Sequence, residues 1–118
     1  SEEQPTGLGG LRRFGKRKYA RRTTKQIRET VMGHNAAIQD CYRLAMKSNP
    51  DLKGKVHVRV TVGTKGRVSF AEITDSSVEN EAMEYCIINK IRRWNDFGEV
   101  PPNQGDLTFS HVYVFGDD

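Results

Sequence analysis

Residues 55–73, KVHVRVTVGTKGRVSFAEI, decide the fold. Val56, Val58, Val60 and Val62 take alternate positions and His57, Arg59 and Thr61 the others, which is the period of a strand with one buried face. Thr64-Lys65-Gly66 supplies a turn with a glycine where positive φ is expected, and Val68 and Phe70 resume the pattern on a return strand. Phe70 and Ile73 cannot share a face in a regular strand, so a bulge is expected near Ala71 or Glu72.

Working outward, a helical period precedes the hairpin and another follows it. IRETVMGHNAAIQDCYRLA (27–45) places Ile27, Val31, Ile38, Cys41, Tyr42 and Ala45 on one stripe, with His34 among them. Thr23 or Thr24 can cap this helix, and Asn49-Pro50 should end it. Gly33 falls inside it at a cost of about 1 kcal/mol. EAMEYCIINKIRRW (81–94) buries Met83, Cys86, Ile87, Ile91 and Trp94, with Ser76 or Ser77 as expected cap and Glu79 in capping-box spacing from Ser76. Arg92 and Arg93 close its last turn. After a loop from Gly98 to Gly105, DLTFSHVYVF (106–115) forms the last strand. Leu107, Phe109, His111, Tyr113 and Phe115 share one face, and Thr108, Ser110, Val112 and Val114 the other. The element order is therefore α-β-β-α-β, and the fold class is α+β. Cys41 and Cys86 sit on the apolar sides of the two helices that flank the hairpin, which suggests a bond between those helices.

The chain's 118 residues, 36% of them hydrophobic, suffice for one domain with a modest core. No stretch approaches the roughly 20 apolar residues of a membrane span, and no signal-peptide core follows the N-terminus. As given the chain reads as soluble, and it could be cut from a longer anchored or exported protein. Its net charge of +4 is uneven. Residues 1–22 hold seven Lys or Arg (Arg12, Arg13, Lys16, Arg17, Lys18, Arg21, Arg22) against two Glu, leaving residues 23–118 nearly neutral. With Gly7, Gly9, Gly10 and Gly15, this segment reads as a flexible basic linker ahead of the domain at 23–118. The alternative is an arm for an anionic surface. Only Phe14 and Tyr19 are aromatic there, too few for a stacking platform of the single-strand binders.

Catalysis finds little support. His34 precedes Cys41 by two helical turns, roughly 10 Å, too far for a nucleophile–base hydrogen bond. No CxxC, HExxH or phosphate-cradling glycine loop is present, so no catalytic residue, metal ligand or cofactor is assigned.

Ile38, Cys41-Tyr42, Asn49-Pro50, Leu52, Gly54-Lys55-Val56, Gly66-Arg67-Val68, Ile73, Ser76, Cys86-Ile87, Ile91, Trp94 and the closing aromatic strand, taken in order, resemble the C-terminal domain of the AgmX/PglI family of bacterial gliding-motility proteins. That family is similar in turn to the C-terminal domain of TonB energy transducers. The resemblance covers roughly Thr24 to Phe115. It implies a three-stranded antiparallel sheet with two helices packed on one face. It also implies a periplasmic domain of an inner-membrane-anchored, trans-envelope machine in a Gram-negative bacterium, binding partners and not turning over substrate. TonB-like domains take up an extended segment of a periplasmic or outer-membrane protein as an added strand, and other envelope motility or transport components are further expected partners. By analogy the docking edge is the last strand, Thr108, Phe109, Ser110, His111, Val112, Tyr113 and Val114. A homodimer is also open. In an oxidising periplasm Cys41 and Cys86 would join if their Cα atoms come within about 7 Å, contributing roughly 4 kcal/mol by loop closure; reduced core thiols in a cytosolic protein are the alternative. The competing functional class is a nucleic-acid-binding domain using the basic arm with Arg59, Lys65 and Arg67; the leading reading has no nucleic-acid partner.

Overall fold

The computed structural model describes residues 22–116, so the expected linker, apart from Arg22, and the terminal Asp117-Asp118 lie outside the described residues. Within them the elements are α1 (Thr24–Gly33), α2 (Asn35–Met46), β1 (Gly54–Val62), β2 (Val68–Ser76), α3 (Glu81–Ile91), a short 3₁₀ turn (Pro102–Gln104) and β3 (Leu107–Phe115). The strands form one antiparallel sheet in the order β2-β1-β3. The fold is α+β, in the order α-β-β-α-β that the periodicity predicts, with the first helical segment divided in two.

The four valines of β1 are the floor of the core. Val56, Val60 and Val62 are fully buried and Val58 nearly so. Burying a side chain of that size contributes about 1.5–3 kcal/mol. Ile38 and Cys41 of α2 and Met83, Ile87, Ile88 and Ile91 of α3 close over them, with Trp94, Phe97, Tyr113 and Phe115 at the margins. The opposite face of the sheet carries His57, Arg59, Thr61 and Glu72, with Arg59 and Glu72 ion-paired across β1 and β2.

Three local expectations are corrected. The single long helix breaks at His34, which leaves the helical region with φ −99° and ψ 4°. The break turns the His34 ring flat onto Trp94, 4.4 Å between centroids, and brings Nε2 to 2.9 Å from the Asp96 carboxylate. In β2 there is no bulge at Ala71 or Glu72. Register shifts leave Ser69 and Thr74 as the extra residues, and their hydroxyls donate to the carbonyls of Thr61 (3.3 Å) and His57 (3.4 Å). The bulge at Ser69 sends Phe70 to the outer face, 52% exposed, while Ala71 takes the buried position opposite Val60. That resolves the conflict between Phe70 and Ile73. Finally, α3 is capped by Asn80, whose Oδ1 accepts from Met83 N at 2.9 Å, and not by Ser76, Ser77 or a Glu79 capping box. Pairing of β2 continues through Ser76, so the serines are spent on strand and turn. Ser76 donates to Glu84 at 2.7 Å, and Ser77 Oγ accepts from Lys55 N. At the other end of the chain Thr23 does cap α1, accepting from Gln26 N.

Candidate functional site

The outer edge of β3 is the candidate site, and its chemistry follows from the phase of β1. Lys55 donates to Ser77 Oγ and accepts from Ser77 N, both at 2.9 Å, and the carbonyls of His57 and Thr61 also accept from β2 residues. Because backbone groups alternate sides along a strand, Lys55, His57, Arg59 and Thr61 face β2 and the four valines face β3. The partners of those valines are Tyr113, His111, Phe109 and Leu107. The residues between them, Thr108, Ser110, Val112 and Val114, therefore turn their N–H and C=O away from β1, toward an edge where no strand pairs among the described residues.

Those same four residues present their side chains on the outer face. All are exposed, Val112 at 42% and Val114 at 48%. Thr108 Oγ1 lies 2.9 Å from Thr61 Oγ1, which ties the polar half of the edge to β1. On the inner face Leu107, Phe109 and His111 are half-buried and Tyr113 and Phe115 buried. His111 meets Tyr113 edge to face at 4.6 Å. Burial lowers the His111 pKa and pushes the Tyr113 phenol above its ordinary range. The Tyr113 hydroxyl finds no hydrogen-bond partner among the described residues. The seven edge residues read from sequence thus divide: Phe109, His111 and Tyr113 bond inward and pack, and Thr108, Ser110, Val112 and Val114 are available.

Of the basic arm, six residues from Arg12 to Arg21 lie outside the described residues. Arg22, counted with them on charge, belongs to the folded body. Its Nη2 donates to the carbonyls of Gly63 (2.6 Å) and Gly98 (2.8 Å), between the β1–β2 turn and the loop after α3. Burial lowers the Arg22 pKa and the Asp106 carboxylate partly restores it. Turn and loop are laced together: Val68 N donates to Trp94 O (3.0 Å), Phe97 N to Gly66 O (3.2 Å) and Val100 N to Thr64 O (2.8 Å). Gly66, at φ +90°, is obligatory here, since a Cβ would lie 2.8 Å from the backbone N of Gly98. Nothing in the sequence announces the Arg22 contacts, because both acceptors are backbone carbonyls distant in the chain.

Cys41 and Cys86 form a disulfide between α2 and α3, with Cα atoms 5.8 Å apart and 45 residues between them in sequence. A surface groove lined by Leu44, Ala45, Ala82 and Met83 runs beside it. Cys41 is thus held in the disulfide, and His34 faces the Asp96 carboxylate, not the sulfur. No group of three His, Cys, Asp or Glu able to hold a metal ion, and no helix long and apolar enough to cross a membrane, occurs among the described residues. No family model, curated protein or solved structure matches the chain.

Proposed function

We propose that this domain is a protein-binding module that receives an extended partner segment as a fourth strand along β3. The observation that carries the reading is the β3 edge itself: nine residues with no bulge toward β1, no Asp, Glu, Lys or Arg, and two exposed valines beside four outward-facing amides. Such an edge is a template for another backbone, and soluble proteins ordinarily obstruct it. Main-chain hydrogen bonds supply affinity; Val112 and Val114 favour apolar, β-branched neighbours on the outer face.

We further place this module in the periplasm, as part of an inner-membrane-anchored gliding-motility or TonB-like energy-transducing machine, on the resemblance of its residues to those domains. The disulfide supports an oxidising compartment, because thiols stay reduced in the cytosol. A photo-cross-linker at Ser110 in cells should capture one extended partner segment. In the purified complex the amides of Thr108, Ser110, Val112 and Val114 should slow in hydrogen exchange, with Leu107, Phe109, His111 and Tyr113 unchanged. Protection falling on α2 and α3 instead would remove the edge from consideration.

A further inference from the structure

The bridge between α2 and α3 is not sealed inside the core. Cys41 is 2% exposed, whereas Cys86 is only half-buried. The groove beside them has a volume of about 390 Å³ and both cysteines among its walls. Its other walls include Leu44 and Ala45 of α2 and Ala82 and Met83 of α3, so it is apolar on both sides. Lys47, exposed just past the end of α2, is the one charged side chain lining it, and no acid pairs with Lys47 among the described residues. Of the acids on and beside the two helices, Asp40 pairs with Arg43 and Glu84 accepts from Ser76. Glu79 and Glu81 are exposed at the start of α3, outside the lining.

A disulfide opens when a thiolate attacks one sulfur and expels the other, so the sulfur that can be reached decides the course. Burial here leaves Cys86 Sγ as the point of attack and Cys41 as the leaving group. The Lys47 ammonium favours the thiolate form of an incoming cysteine over its neutral thiol. A small hydrophilic thiol gains nothing from Leu44 and Met83. A cysteine carried on the apolar surface of another protein buries that surface against them.

We propose that the Cys41–Cys86 bridge is a thiol–disulfide exchange site for a dithiol protein, which lays the surface around its reactive cysteine in the groove and opens the bridge from Cys86. The partner's first thiol gives up its proton, and the thiolate bonds to Cys86 Sγ as the bond between Cys86 and Cys41 breaks. Cys41 leaves as a thiolate and takes up a proton. The partner's second thiol, deprotonated in turn, attacks the partner's own sulfur in the mixed disulfide and expels Cys86, which is protonated. Two electrons and two protons pass to this chain, and the partner is left as a disulfide. An oxidised partner of the same class runs the sequence backwards and closes the bridge. Opening removes the one covalent tie between α2 and α3 and lowers the ratio of folded to unfolded protein by about a thousandfold. The exchange does not depend on strand addition.

Reduced thioredoxin, a dithiol protein, tests this on the full chain. With thioredoxin lacking its second active-site cysteine, quenching with N-ethylmaleimide should give an adduct in which Cys86 is joined to thioredoxin and Cys41 carries the maleimide, read by peptide mass. Intact thioredoxin should open the folded protein at least about a hundredfold faster than reduced glutathione at equal thiol concentration. That rate should stay level in low urea, where attack by way of global unfolding would climb. Ala82→Trp, at an exposed helix position on the wall of the groove, should slow thioredoxin about tenfold, and Lys47→Glu about threefold, with circular dichroism unchanged. The proposal is overturned if thioredoxin is found on Cys41, if glutathione is as fast, if opening climbs with urea from the start, or if folded Ala82→Trp reacts like the parent.

Discussion

Strands β2 and β3 flank the same central strand, yet β2 is interrupted twice, at Ser69 and Thr74, and carries Glu72 and Asp75, while β3 pairs without a shift over nine residues and carries no such charge. Bulges and edge charges are how natural sheets discourage strangers. β2 is guarded by both and β3 by neither. The contrast teaches that the open edge is not a by-product of having only three strands, since the same sheet closes off its other margin.

Four experiments probe the difference between the two edges. The largest effect is expected from Cys41→Ser/Cys86→Ser, which should lower stability by about 4 kcal/mol in chemical unfolding. If the edges are properties of the sheet alone, partner affinity measured well below the melting temperature should survive the loss. Next, Val112→Pro removes an outward N–H and no β1–β3 ladder bond, so partner affinity should fall at least about thirtyfold with the fold retained. Unchanged affinity in a folded Val112→Pro protein would leave β3 no more receptive than β2. Giving β3 the kind of guard that β2 has, by Val114→Lys, should cost about tenfold in the same titration. The smallest effect concerns His111, whose counterpart across Val58 on the guarded edge is Ile73, which does not titrate. Its folded pKa is lowered by burial, so its contribution is fully present above the unfolded value of about 6.5 and diminishes as pH falls below it, where the unfolded chain binds the proton more readily. Thermal melts at pH 7.5 and 5.5 should show a smaller drop for His111→Phe than for the parent protein.

Much of this arrangement is legible in the residues. Period-two valines with polar alternates fix β1, and two cysteines on separate apolar stripes point at each other across the hairpin. The edge strand, with its two faces, is readable from Leu107 to Phe115 for the same reason. What escaped the sequence is decided by contacts distant along the chain. Phe70 reads as core until one knows that Ser69 is unpaired, because a one-residue slip reverses every side chain that follows. Ser76 is as good a helix cap as Asn80 until β2 claims it. His34 fits the helical stripe, and only the Trp94 ring and the Asp96 carboxylate, some 60 residues on, explain why the helix stops there. Arg22 looks like one more charge in a basic run, and its two carbonyl acceptors carry no side-chain signature.

The anchorage of Arg22 has a mechanical corollary. Tension applied through the preceding segment enters the body at the Val62–Leu107 end. Were a guest strand lying along β3 to leave past Phe115, the line of pull would run lengthwise through the ladder, loading its bonds together in shear instead of unzipping them one by one. Such a joint would hold under a steady tug and release readily when peeled sideways.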